Sequence, residues 1–249
     1  MRSLTVIISY SDRAQILEDL IKNVWELNPI EIIVMLPNDR SKLYEIAKKY
    51  RCRIVLTEKY SGHYRGYEAF IKEARGDALL FLDGKFSLST DEMKGFIEPI
   101  VTNQADVILN KIDKFIEIDK CPNVDIVWRK MLNEILGRPD LKCNSMLSLP
   151  YVLTKEVLVN IGCDFIEDAI LSHIKIVSQG WRISDQYAIN TLSKDETLEE
   201  KGYLIKKELS KNEKEKVKKY LIGISKGIEE KGEEEGLLMQ EKEEILFKG

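Results

Sequence analysis

The chain of 249 residues lacks most of the features that announce a chemistry by themselves. It has four cysteines (Cys52, Cys121, Cys143 and Cys163), far apart and with no Cys-x-x-Cys pair. That argues against a zinc site or a disulfide framework and fits a reducing cytosol. The two histidines, His63 and His173, have no partner at metal-ligand spacing. No run approaches the ~18 apolar residues of a spanning helix. Met1 to Ile8 passes straight into strand-forming residues, so neither a signal peptide nor a transmembrane segment is expected, and a cytoplasmic protein is. An excess of positive charge is also missing. The formal net charge is -4 and the pI about 5.5, which leaves no electrostatic case for nucleic acid. There is no internal repeat. The stretch Ser9–Arg13 after the first strand contains no glycine, which argues against the glycine-rich phosphate loop of a nucleotidyltransferase.

What is present is a 44% hydrophobic composition, enough for a core, arranged as strands alternating with helices. Leu4–Ile8, Glu31–Leu36, Arg53–Leu56, the apolar run Ala78–Leu82 and Asp106–Asn110 read as strands. Asp12 with Gln15 and Ser89 with Glu92 read as capping boxes opening helices. Leu43, Ile46, Ala47 and Tyr50 line another helix, and Tyr67–Ala74 is a short one after the loop Tyr60–Gly66. Such alternation predicts a parallel sheet with right-handed crossovers. Further on, Val124–Gly137 reads as a helix carrying Ile126, Val127, Met131, Leu132 and Ile135. Met146–Leu149 reads as a strand ended by Pro150. Thr154 caps a helix that stops at Gly162, and Phe165–Ser178 is a further helix. A short strand is expected at Trp181–Ile183.

From about Lys194 the composition turns to Lys and Glu. Two units are expected, an α/β domain over 1–193 and a helical extension over 194–249. In the extension Val217, Tyr220, Leu221, Ile224 and Ile228 share one helical face. That stripe needs a partner surface, either the domain itself or a second copy in a homodimer.

Three strand-end segments come in order: Ser9-Tyr10-Ser11-Asp12, Pro37-Asn38-Asp39 and Asp83-Gly84-Lys85. In a parallel sheet such segments share the edge where open α/β folds bind ligands. Two are placed for a nucleoside and the third for a diphosphate. Arg65 is a further candidate phosphate contact. An Asp-x-Asp at position 83 would bind a diphosphate through a metal ion. Here Lys85 puts the opposite charge at the third position, and an ammonium contacts phosphate directly as a point charge.

On these residues the chain resembles the family 2 glycosyltransferases of the GT-A fold, over about residues 3–185. Leu4–Arg13 resembles the family's opening strand and loop, and Glu31–Val34 its second strand. Gly62–Asp77 resembles the segment before the central strand, and Leu80–Lys85 the Asp-x-Asp segment. Phe165-Ile166-Glu167-Asp168 resembles the Glu-Asp pair whose aspartate is the base in inverting members. Gly180-Trp181-Arg182-Ile183 resembles the element after it. The resemblance implies a Rossmann-like, mostly parallel central sheet and a nucleotide-sugar donor held by Ser9, Tyr10, Ser11, Asp39, Arg65, Asp83, Gly84 and Lys85. It further implies Asp168 with Glu167 as the catalytic pair, and Asp83 as ligand to a Mg²⁺ or Mn²⁺ ion. The departures are Ser9 for proline, Ser11 for tyrosine, Met35-Leu36-Pro37-Asn38 for the acidic pair, and Lys85 for the last aspartate. Two functions follow from this balance. One is transfer of a sugar to an acceptor hydroxyl with inversion; the other is a non-catalytic nucleotide- or sugar-binding or assembly protein on the same scaffold. The acceptor is not written in the sequence.

Overall fold

The computed structural model describes residues 1–9, 13–37, 42–57, 73–116, 124–162, 168–191 and 217–225. The apolar runs become the strands β1 (Leu4–Ile8), β2 (Glu31–Pro37), β3 (Arg53–Thr57), β4 (Ala78–Leu82), β5 (Val107–Leu109), β6 (Tyr151–Thr154) and β7 (Ile183–Ser184). Among the described residues these form one sheet in the order β3-β2-β1-β4-β6-β5-β7. The helices are α1 (Ala14–Trp25), α2 (Lys42–Lys49), α3 (Thr90–Val101), α4 (Val124–Ile135), α5 (Lys155–Ile161) and α6 (Ala169–Ser178). A further helical segment, α7, spans 217–225.

The central strands are buried on both faces, as their unbroken apolar character demands. Successive residues face opposite ways, so Val6, Ile8, Leu80 and Leu82 pack into one core with α1, α2 and α3. Ile7, Leu79 and Phe81 pack into the other, with Leu132, Ile170 and Ile174 of α4 and α6. Each fully buried aliphatic side chain contributes about 1.5–3 kcal/mol. Gly76 lets the chain enter β4 hard against β1: a Cβ there would stand 2.5 Å from the Thr5 backbone nitrogen.

Several expectations hold. The Ser89–Glu92 capping box is formed in both directions. The Thr154 hydroxyl accepts from the Val157 backbone N–H, and α5 ends at Gly162. Others need correction. The sheet is mixed, because β6 runs antiparallel to both β4 and β5. The strand expected at 146–149 lies at 151–154 instead; Ser145 to Ser148 make a turn closed by the Ser148 N–H on the Ser145 carbonyl. Helix α1 has Arg13 at its N-cap with no side-chain cap bond. Gln15 therefore falls at the second helical position and donates to Asp19 one turn on, not to a cap; Asp12 lies outside the described residues. Helix α6 starts at Ala169, not Phe165, with Asp168 as its cap, and the last strand is Ile183–Ser184.

Helix α4 also turns a different face inward. Leu132 and Leu136 are core, whereas Val127, Met131 and Ile135 are exposed by 48%, 40% and 39%. The described part of the extension rests on the domain. Tyr220 is fully buried, its ring stacked on Trp128 at 5.9 Å. At Gly223 a Cβ would come within 2.9 Å of Ile170. No helix among the described residues is long and apolar enough to cross a membrane.

Candidate active site

The strand order reverses between β1 and β4: β2 and β3 extend the sheet to one side of β1, and β4 opens the other. Crevices at such switch points, beyond the C-terminal ends of the strands, are where open α/β sheets take ligands. Ser9 and Asp83 stand on either side of this one. Ile8 is in register with Leu82, and the Ser9 N–H donates to the Leu82 carbonyl at 2.9 Å. The next residue pair across the crevice is thus Ser9 and Asp83. Asp83 is half-buried and Gly84 buried, while Lys85 is exposed and Phe86 and Leu88 are anchored in the core. Asp83 Oδ1 accepts the Lys85 backbone N–H at 3.0 Å, an Asx turn. The loop therefore fixes a carboxylate inside the corner and an ammonium-bearing side chain at its rim.

The far side of the same edge is built by β5, β6 and β7. Strand β7 runs parallel to β5, and α6 leads back into β7, so the N-terminus of α6 points toward the edge with the corner. Asp168 stands there, its Oδ1 accepting the Leu171 N–H at 3.0 Å. Past the C-terminal ends of the paired strands β5 and β7 lies a polar knot centred on the fully buried Asn144. Its amide donates to Asp113 at 2.8 Å and to Asp185 at 2.9 Å, and its Oδ1 accepts the Asp113 N–H at 3.1 Å. Lys142 donates to Asp113 at 2.7 Å, and the Lys111 ammonium lies 3.5 Å from Asp185. Burial works to raise the Asp113 carboxyl, but the Lys142 and Asn144 bonds outweigh it and hold the group below the ordinary carboxylate range.

The sequence profile of glycosyl transferase family 2 matches residues 5–146, more than half of the chain, and so spans β1 to the Asn144 turn. The chain belongs to glycosyl transferase family 2. A comparison with curated proteins finds no match. Among solved structures, glucosyl-3-phosphoglycerate synthase from Mycobacterium tuberculosis is similar in fold. Its UDP complex superposes with a TM-score of 0.55 at 15% identity, covering 74% of this chain and 69% of that one. Its complex with Mn²⁺, UDP and phosphoglyceric acid gives 0.54 at 16% identity, covering 74% and 68%.

Of the residues that the family 2 resemblance singles out, the structure brings Ser9, Asp83, Gly84 and Lys85 to one corner and Asp168 to the same sheet edge. Tyr10, Ser11, Asp39, Arg65 and Glu167 lie outside the described residues. No group of three His, Cys, Asp or Glu side chains suited to a metal occurs among the described residues. Asp83 supplies the corner's one described carboxylate, with Lys85 two residues on. A single carboxylate, with a lysine at the position of the second acid, is too few described donors to hold a divalent ion by itself.

The Asp113–Asn144–Asp185 knot was not singled out from the sequence. Its members are 31 and 41 residues apart in sequence, and no local pattern joins them. The one signal was position, since Asp113 and Asp185 each follow closely on a strand.

Proposed function

We propose that this family 2 protein transfers a sugar from a nucleotide-diphosphate donor to an acceptor hydroxyl. The observation that carries the proposal is the Ser9–Asp83 pair at the switch point of the sheet, in a chain matched by the family's profile across that crevice. The donor's nucleoside lies toward the ends of β1 and β2, with Tyr10, Ser11 and Asp39 as its proposed contacts. Its diphosphate lies against the corner, where Asp83 meets the ribose or a phosphate-bound group. Lys85 and Arg65 oppose the negative charge that grows on the leaving diphosphate. The proposed route takes no step through a metal ion and gives Lys85 the charge that an ion would bring to the diphosphate.

Asp168, with Glu167 beside it, is the proposed base. Capping α6 uses one carboxylate oxygen, and a base needs the other within hydrogen-bond reach of the acceptor hydroxyl. Attack from that side, opposite the leaving diphosphate, inverts the anomeric centre. UDP, the nucleotide in the M. tuberculosis synthase complexes, is the first donor base to test, and phosphoglyceric acid belongs in the acceptor panel.

The experiment is a transfer and hydrolysis assay over a panel of nucleotide sugars, with and without EDTA, read by product stereochemistry. Turnover that survives EDTA is expected. Asp168→Asn should lower kcat by ~100-fold or more, and Lys85→Ala should raise donor KM with Asp83→Ala lowering turnover. Strict Mn²⁺ or Mg²⁺ dependence overturns the role given to Lys85. Donor binding without turnover, unchanged in Asp168→Asn, overturns the enzyme in favour of a binding module.

A further inference from the structure

Helix α4 buries polar residues and exposes apolar ones. Asp125, Arg129 and Asn133 are spaced i, i+4, i+8 and share one face. Arg129 and Asn133 are buried, while the stripe Val127, Met131 and Ile135 faces solvent. Burying a guanidinium and an amide is costly unless each is hydrogen-bonded, so the partners on that face explain the inversion. Asn133 donates to the carbonyls of Lys142 at 2.8 Å and Asn144 at 3.1 Å. Arg129 donates to the Ser148 hydroxyl and to the Leu147 carbonyl at 3.4 Å. All four anchors lie on the segment 142–148.

That segment is a wall of the site. Phe81 is in register with Tyr151 in the antiparallel pair β4–β6. Because β6 runs antiparallel to β4 and lies between β4 and β5, the chain leading into Tyr151 comes from the ligand edge, between the end of β4 and the end of β5. On its other side the segment presents Asn144 to Asp113 and Asp185. It thus divides the diphosphate corner from the ends of β5 and β7, and α4 holds it through Arg129 and Asn133.

The polar face of α4 is itself fixed from the C-terminal extension. Asp125 Oδ2 accepts from Arg129, and Asp125 Oδ1 accepts from the Tyr220 hydroxyl at 3.0 Å. From α6, His173 Nε2 lies 2.7 Å from Asn133 Oδ1. An unbroken chain of polar contacts therefore runs from Tyr220 through Asp125 and Arg129 to Ser148.

We infer that Tyr220, Asp125 and Arg129 are positioning residues, and that the C-terminal helix sets the acceptor-side wall of the site. The inference rests on the glycosyltransferase reading only for which substrate feels it. Acceptor recognition then depends on α7, and donor recognition does not.

The test uses the full-length chain with Tyr220→Phe, which keeps the ring stacked on Trp128 and removes the hydroxyl. Ser148→Ala cuts the same chain at its other end. Amide hydrogen exchange is read at 142–149, where the Asn144 and Ser148 N–H groups are hydrogen-bonded to Leu141 and Ser145. Each variant should speed exchange there about tenfold, the weight of one hydrogen bond to a charged group. The amides of β1 and β4 should not change. The double variant should add little to either single one, because both cut one chain of contacts. With an active enzyme, acceptor KM rises and donor KM stays. Unchanged exchange at 142–149 in both variants overturns the inference, as does a uniform rise across the sheet. The exchange arm needs no turnover, so a protein without transferase activity would still decide it.

Discussion

His173 has no solvent contact in α6, and its ring meets Asn133 through Nε2. Burial first, and then the charges of Arg129 and Arg138, press its pKa from 6.5 down to about 3. Asn133 Oδ1 only accepts, so the neutral ring carries its proton on Nε2, and Nδ1 is a buried acceptor with no partner among the described residues. A base with a depressed folded pKa binds its proton more readily in the unfolded chain. Its contribution to stability is therefore complete above pH 6.5 and is lost as pH falls from there toward 3. The slope for one proton is about 1.4 kcal/mol per pH unit at most. We predict that wild-type Tm drops between pH 6.5 and 5, before most carboxylates titrate. His173→Gln, which keeps a donor for Asn133, should flatten that drop; an identical pH profile in the variant would refute the assignment. Asp83 and Lys85 show what is legible at this scale. A carboxylate closing an apolar run can be read directly, because the end of a buried strand has few other positions. The roles of His173 and Asn144 cannot, because a buried polar side chain is defined by partners that only the fold supplies.

Elements with a local cause were the ones the sequence reported well. The Ser89–Glu92 box is complete within four residues, Ser89 Oγ taking the Glu92 N–H and Glu92 returning to the Ser89 N–H at 2.8 Å. Ser89→Ala removes one of those two bonds and should cost about 1 kcal/mol. In a domain of this size that lowers Tm by roughly 2–4 °C, measurable by thermal melts, and it should leave donor affinity alone, since α3 starts beyond the buried anchor Leu88. No change in Tm would mean the cap is redundant. Helix α4 shows the opposite case. Periodicity finds the helix, yet an apolar stripe at Val127, Met131 and Ile135 points to the wrong face. The buried face was decided by Arg129 and Asn133 bonding the turn before β6, partners up to 19 residues away. That turn also displaced the expected strand from 146–149 to 151–154. The hydrophobic pattern records what is apolar, and here the packing recorded what is hydrogen-bonded.

At the scale of the molecule, the mixed sheet and the docked extension are one arrangement. Inserting β6 antiparallel between β4 and β5 brings the chain back to the ligand edge through 142–150, and α4 must support that return. The face of α4 and α6 that does so is closed by α7, whose Tyr220 hydroxyl is pushed up in pKa by burial and by Asp125. The inner face of α7 is thus committed to its own domain, while Leu221 and Ile222 look outward, 52% and 46% exposed. Two such side chains fall well short of the ~800 Å² per partner of a standard interface. A homodimer through the extension therefore needs residues outside 217–225. Two truncations separate these contributions. Ending the chain after Ser225 keeps Tyr220 and should leave Tm within about 2 °C. Ending it after Ser193 removes Tyr220 and exposes Trp128, with a loss of about 3–5 kcal/mol by analogy with aromatic deletions from cores, or roughly 10 °C. Solution mass across the same series assigns the dimer: a dimer that becomes a monomer on ending after Ser225 places the contact in 226–249, and a monomer throughout removes the dimer. Equal stability of the two truncations would show that the Tyr220 contact holds nothing, and the coupling of the extension to the site would fall with it.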